Sequence, residues 1–518
     1  MSRIRRAIHG VVSSYVLLAA TAVYSLASLP VAMHYLHDKN RFGCWIVMGT
    51  LVGYLNLIDA GMTAAVARLL IDHKDDRNGG NYGSLIKTGW LVSTLQGAII
   101  FVIGLCLAGV FARLLVKTEA LRPEFIQLVN WQCGVVAVSF STRMFNLVLN
   151  AHQRMDFANY IGAGGLAANF VAQWIFFHCQ FGLLSLALGS LVATAVAVGG
   201  QALACVSLKL LPDAGHWGRF SRRHFREMFN YGKDVFLVGV GTQLIMTSQV
   251  LVISSTLGEA SAAVWGVGLR VFNLLNQLIW RPFDMSGSAL AEMLARGELA
   301  RLRDRYRSLA TLTFSLAGWA AVSFALCNSL FVTLWMHGTI QWPVLNDWLL
   351  AVWMILFAVV HCHNCFALLT KQVGFMRYVY FIEGITFVAA SFLVARWGGL
   401  AAIIVCSVLC STAFSGAYGV WRISRFFKIS YPEVALGWLR PMGTMLLLYL
   451  PAAWLVWRLF GSAGTVIQLA AHAALAGSLG IYLFLRFGIP GSFQTELLGR
   501  VPGKAAPLLK RIFVPTAS

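Results

Sequence analysis

Fourteen apolar runs, from residues 10–36 to residues 465–486, are each long enough to carry a helix through a hydrocarbon layer, which takes about 20 residues. No single water-soluble core absorbs so many. A soluble fold needs roughly a quarter of its residues charged to cover its surface. Here 12% are charged and 58% hydrophobic, with a mean hydropathy of +0.72. The expected fold class is therefore an all-α polytopic membrane protein with about 14 transmembrane helices. The first run is too long for a removed signal peptide, and no small-residue cleavage site with a soluble domain follows it.

Basic residues set the expected orientation. With the N-terminus inside, thirty of the 40 Lys and Arg fall on the cytoplasmic side and seven, such as Lys39, Arg113 and Arg458, on the other. Arg143, Arg270 and Arg281 are left inside spans. Both termini are expected in the cytoplasm, and the chain in the bacterial inner membrane. The net charge of +20 lies between apolar runs, so anionic lipid headgroups are its expected partners and nucleic acid is not. The ten cysteines show no zinc or disulfide spacing and read as small packing residues.

The longest basic connection divides the chain. The expected organisation is an N-terminal lobe at 1–208, a cytoplasmic amphipathic connector at 209–233, a C-terminal lobe at 234–425, two further spans at 426–490 and a cytoplasmic tail at 491–518. In the connector, His216 to Arg226 mixes aromatics with cations. It reads either as a segment lying on the headgroups or as a solvated linker. A shift of 220 residues aligns Arg6 with Arg226 and Trp45 with Trp265, as a parallel duplication would.

Three stretches carry a resemblance: Pro30 to Leu36, then Arg41-Phe42-Gly43-Cys44-Trp45, then Gly53 to Gly61 with Asp59-Ala60-Gly61, ending at Arg68. The chain resembles the bacterial polysaccharide exporters and lipid-linked oligosaccharide (O-antigen-type) flippases of the multidrug/oligosaccharidyl-lipid/polysaccharide exporter (MOP) superfamily. In that family an aromatic-Gly-x-Trp opens the second helix and an Asp-x-Gly follows near its inner end. Phe42 stands where Tyr is more usual. The run from Trp265 through Arg270 to Leu275 is similar to the family's matching helix. The resemblance implies two six-helix lobes around a central cavity, with two additional C-terminal helices. It also implies alternating access that carries an undecaprenyl-pyrophosphate-linked glycan, in lipopolysaccharide or other surface polysaccharide synthesis. A glycan polymerase or glycosyltransferases are the implied protein partners. A cation-coupled multidrug exporter is the alternative within the superfamily, and it predicts a more acidic interior.

Charges inside a bilayer cost about 2.5–3.5 kcal/mol each on insertion scales and mark function by default. Arg270 lies about 12 Å into its run at 1.5 Å per residue. It is the leading candidate to bind the pyrophosphate, because a guanidinium stays charged and grips phosphate through paired hydrogen bonds; an ion pair is the other reading. Asp59, in the inner half of its span, and Arg143 at similar depth are further substrate-binding candidates; Asp59 also reads as a cation site, and an ion pair between the two is the other reading. Glu383 joins Asp59 as an ion-coupling candidate, for Na+ or H+. Arg281 and Asp284 have the spacing of a local i,i+3 pair. His361 and Cys365 share a helix face at i,i+4, but no third ligand is evident, so packing is expected and no metal. No cofactor is expected. The chain contains no phosphate-loop, HExxH or nucleophile-elbow motif, so it reads as a non-enzyme that does not itself hydrolyse ATP.

Overall fold

The computed structural model describes residues 3–370, 374–500 and 513. Lys371 and the basic tail residues Lys504, Lys510 and Arg511 lie outside the described residues. The described residues are helices and their connections, without strands. That follows from the solvent: a spanning backbone must satisfy its own N–H and C=O groups, which a helix does within one segment.

Among the described residues, twelve helical stretches are long and apolar enough to cross a membrane, or up to 13 when a pair bent by 40° is read as one span. The pair is Glu259–Gly268 with Arg270–Ala295. The stretch Met376–Phe427 is 52 residues long. Straight, it would reach about 78 Å, more than twice the hydrocarbon thickness. It breaks at Gly399, whose φ of 57° and ψ of −143° only glycine adopts readily, beside the almost fully exposed Trp397.

Packing divides the chain into two compact units, Met1–Gly266 and Val267–Ser518. The first holds α1 (Arg3–Leu36), α2 (Lys39–Leu55), α3 (Met62–His73), α4 (Asn81–Leu115), α5 (Arg122–Thr142), α6 (Met144–Ala151), α7 (Met155–His178), α8 (Leu184–Ser207) and α9 (Arg222–Leu257). Next comes α10 (Glu259–Gly268), which carries the division. The second unit holds α11 (Arg270–Met285), α12 (Gly287–Ala295), α13 (Leu299–Trp335), α14 (Val344–Leu369), α15 (Met376–Ser411), α16 (Ala417–Phe427), α17 (Tyr431–Ala435), α18 (Arg440–Phe460) and α19 (Thr465–Leu475).

The seventh long helix, α9, packs on α2, α3 and α4, so it sits with the first unit, whereas the sequence division begins the second lobe with it. Two glycines allow close approach, Gly61 to α9 and Gly43 to the start of α10. Gly61 has φ +71°, and a Cβ there would meet the Gly232 carbonyl of α9 at 2.8 Å. Gly43 leaves no room for a Cβ against the Glu259 backbone. In the connector, residues up to Ser221 form a strap over the start of α4 rather than an amphipathic helix. Ser84 Oγ donates to the Arg219 carbonyl at 2.5 Å, and the Ser221 N–H donates to Thr88 Oγ1 at 3.0 Å. These bonds satisfy the backbone of an irregular segment. From Arg222 onward the expected connector is the first part of α9.

Large apolar side chains such as Leu91, Val102 and Leu105 of α4 and Leu447 and Trp454 of α18 point outward, as a lipid-facing surface requires. Polar side chains are buried inside instead, among them Gln96, Asn328, Asp347 and Glu383.

Candidate functional site

The second span is interrupted. After α2 the chain makes a 3-10 turn at Asn56–Asp59, passes through Ala60 and Gly61 with φ of 48° and 71°, and restarts as α3. Such a break inside a span exposes backbone groups that lipid cannot satisfy. Side chains satisfy them here. Gln96 of α4 donates from Nε2 to the carbonyls of Ile58 at 2.9 Å and Asp59 at 3.1 Å. The Asp59 carboxylate accepts from the Thr63 N–H at 3.3 Å and from the Thr63 hydroxyl, capping α3.

Arg143 occupies a second discontinuity, the single residue between α5 and α6. Its Nη1 lies 2.7 Å from Asp59 Oδ1, its Nε donates to Ser93 Oγ at 3.2 Å, and its Nη2 donates to Gln96 Oε1. The guanidinium lies over the Phe140 ring, 4.3 Å from its centroid. Of the two readings of Asp59, the structure supplies the ion pair with Arg143. Roughly a fifth of each side chain remains accessible, at 17% for Arg143 and 21% for Asp59. Arg143 forms part of the wall of a cavity of about 350 Å³ with Ser139, Thr142, Asn146, Thr194 and Gln201. Three of its five N–H donors are committed to Asp59, Ser93 and Gln96, which leaves donors available on the guanidinium. The cavity therefore offers cationic, amide and hydroxyl groups within the apolar part of the first unit.

Arg270 begins α11, where the helix axis bends by 40° after Gly268. It is half-buried. The sequence places it within an uninterrupted run, whereas it stands in the first turn of a new helix. Here too the bend is stitched from outside. Asn328 of α13 donates from Nδ2 to the Gly268 carbonyl at 3.2 Å and to Asp347 Oδ1 at 2.7 Å. Trp342 Nε1 donates to the same carboxylate oxygen at 2.6 Å. Neither Asn328 nor Asp347 is evident from the sequence. Asp347 lies in the first turn of a span and resembles any polar residue at an interface.

Glu383 is fully buried in α15. The helix passes into a π-turn at Thr412–Gly416. Glu383 accepts from the Ser415 N–H at 3.0 Å, from Ser411 Oγ at 2.9 Å and from Ser415 Oγ at 3.2 Å. The carboxylate thus serves a backbone N–H at the π-turn.

Asp284 is hydrogen-bonded to His361 Nε2 at 2.8 Å rather than paired with Arg281. Cys365 Sγ lies 3.5 Å from the same imidazole nitrogen. Asp284 of α11 thus stands beside His361 and Cys365 of α14, a neighbour the sequence does not show.

The architecture defines a class before it defines a family. The fold is similar to those of several membrane transporters of known structure. It is similar to an inward-facing MATE multidrug resistance transporter, with a TM-score of 0.65 at 15% identity over 80% of this chain and 99% of that one. It is similar to the lipid II flippase MurJ in an inward closed conformation, with a TM-score of 0.62 at 10% identity over 93% and 99%. A MOP-superfamily transporter from Pyrococcus furiosus is also similar, with a TM-score of 0.60 at 15% identity over 82% and 96%. The protein is thus a multi-pass membrane protein with the fold of these transporters. Within that class, residues 36–345 match the family model described as polysaccharide biosynthesis protein, and the chain belongs to that family. No curated protein sequence matches it.

Proposed function

We propose that this protein moves an undecaprenyl-pyrophosphate-linked oligosaccharide from the inner to the outer leaflet of the bacterial cytoplasmic membrane by alternating access, with both termini in the cytoplasm. The observation that carries this reading is a guanidinium, Arg143, kept inside a membrane-spanning region at a polar cavity in a member of a polysaccharide biosynthesis family. Arginine is suited to a pyrophosphate, and the amide and hydroxyl groups beside it are suited to sugar. Arg270 adds a second cation at the start of a helix, where the partial positive charge of the N-terminus also favours an anion. In the second unit, Leu326, Leu330, Leu450, Trp454 and Trp457 line an apolar cavity of about 440 Å³ that suits an isoprenoid chain.

The test is complementation of a deletion strain. Deletion should abolish the surface glycan and accumulate the lipid-linked intermediate in the inner leaflet. Arg270→Ala should fail to restore export at normal protein level, and Arg143→Lys, which keeps charge but loses the planar fork, should restore it only in part. Normal glycan in the deletion strain, with increased drug sensitivity, would instead assign the chain to multidrug export. Glu383→Gln removes a candidate coupling carboxylate. Normal export in that variant that is still lost when the Na+ or H+ gradient is collapsed would exclude Glu383 from coupling.

A further inference from the structure

We propose that Asp284, His361 and Cys365 form a binding site for zinc or a zinc-like divalent cation that ties α11 to α14. Among the described residues, their ligand atoms all lie within 4.8 Å of one another. The separations are 2.8 Å from His361 Nε2 to Asp284 Oδ1, 3.5 Å from His361 Nε2 to Cys365 Sγ and 3.9 Å from Cys365 Sγ to Asp284 Oδ1. Zn–N, Zn–O and Zn–S bonds of about 2.0–2.3 Å in a tetrahedron place ligand atoms about 3.3–3.7 Å apart. The observed triangle brackets that range, and a shift of a few tenths of an ångström in the Asp284 carboxylate closes it around one ion.

The donor set selects the cation. A thiolate and an imidazole exclude Ca²⁺ and Mg²⁺, which take oxygen ligands, and favour zinc. The imidazole is already oriented: the Trp280 ring stacks on it at 4.4 Å with planes 9° apart, so the ring edge that carries Nε2 faces the other two ligands. Trp280 itself packs edge-on against Phe357, 4.9 Å away. Three protein ligands leave a fourth position open to water or an anion, as in exchangeable rather than closed zinc sites. The geometry also gives the site a mechanical consequence. α11 is the segment beyond the bend that begins at Arg270, and its last turn carries Asp284. An occupied site cross-links that last turn to the end of α14, so the bent segment swings less freely. Nothing in this proposal depends on the substrate assigned above.

The experiment uses the full chain purified in detergent and titrated with Zn²⁺, and with Co²⁺ as a spectroscopic substitute. One ion per chain is expected by metal analysis after desalting, with a thiolate-to-cobalt charge-transfer absorption. Cys365→Ser should abolish that absorption, and His361→Ala and Asp284→Ala should each weaken Zn²⁺ binding at least about tenfold. Cys362→Ser, one residue from His361 and fully buried, should leave binding unchanged. Unaltered stoichiometry and affinity in Cys365→Ser would overturn the proposal. Should a variant fail to fold, the wild-type chain still decides. Zn²⁺ should slow alkylation of Cys365, mapped by peptide mass spectrometry, and a chelator should restore it. Equal rates with and without Zn²⁺ would reject the site.

Discussion

The two units each interrupt a helix inside the membrane, and they repair the interruption with different chemistry. In the first, the break after α2 is closed by Gln96 and by Asp59, whose charge is balanced by Arg143. In the second, the bend after α10 is closed by Asn328, held in turn by Asp347, and the donors on that carboxylate are the neutral Asn328 amide and Trp342 indole. A side-chain amide reaches the freed carbonyls in both cases, because an amide donates to backbone without introducing a charge. What differs is the group behind the amide. The first unit places an ion pair beside an accessible polar cavity, and the second buries its acid completely. The first break therefore keeps its charged groups partly accessible, and the second keeps its acid shut away.

Breaking the ion pair should give the largest effect. Arg143→Ala leaves Asp59 without its cation, which should cost about 3 kcal/mol, toward the lower end for buried pairs because both groups retain some solvent. Thermal unfolding in detergent checks this, and the double variant Asp59→Asn with Arg143→Gln should recover more than half of the loss. If the double variant is as unstable as the single one, the pair is not what holds the break. Asn328→Leu should follow at about 2 kcal/mol, since it strips donors from both the Gly268 carbonyl and Asp347. Adding salt should alter the Arg143→Ala difference and leave the Asn328→Leu difference unchanged, because screening acts only on the charged repair. Gln96→Leu should cost about 1–2 kcal/mol, the range for a buried carbonyl left without its donor.

Much of this was legible in the sequence, for a physical reason. Bilayer crossing imposes length and apolarity on every span, so the helices announce themselves, and the Asp59-Ala60-Gly61 sequence marks the first break because glycine and a short capping acid are what such a turn requires. The residues that complete the repairs leave no such mark. Gln96 and Asn328 lie mid-helix within apolar runs, and their role depends on which helix lies alongside. Arg270 reads as mid-run because the bend at Gly268 has no proline or polar cluster to announce it. The glycine is there because a Cβ would collide with the Trp342 ring, a contact with a residue 74 positions away in the chain. Asp284 illustrates the same limit: sequence spacing offers Arg281 as its partner, and packing of α11 on α14 supplies His361.

The smallest predicted effect concerns the connections outside the spans, and it sharpens the same contrast. His152, between α6 and α7, has its Nε2 3.0 Å from the Tyr82 hydroxyl, which in turn donates to the Leu210 carbonyl at 3.2 Å. Burial, with Lys74 and Arg77 nearby, holds the His152 pKa below its ordinary value of 6.5. The unfolded chain therefore binds the proton more readily than the folded one. Stability from this group is complete above pH 6.5 and declines as the pH falls from there toward the lower folded value. Hydrogen exchange resolved along the chain should show the core around Tyr82 and Met144 opening more readily at pH 5.5 than at pH 7.5, with little change around Asn328 and Asp347. His152→Gln keeps a donor for Tyr82 without the titration, so it should remove the pH dependence of the first unit while leaving its protection at pH 7.5 intact. A pH dependence that persists in that variant would transfer the effect to another group in the first unit, with His224, which burial also holds below its ordinary value, the next to test.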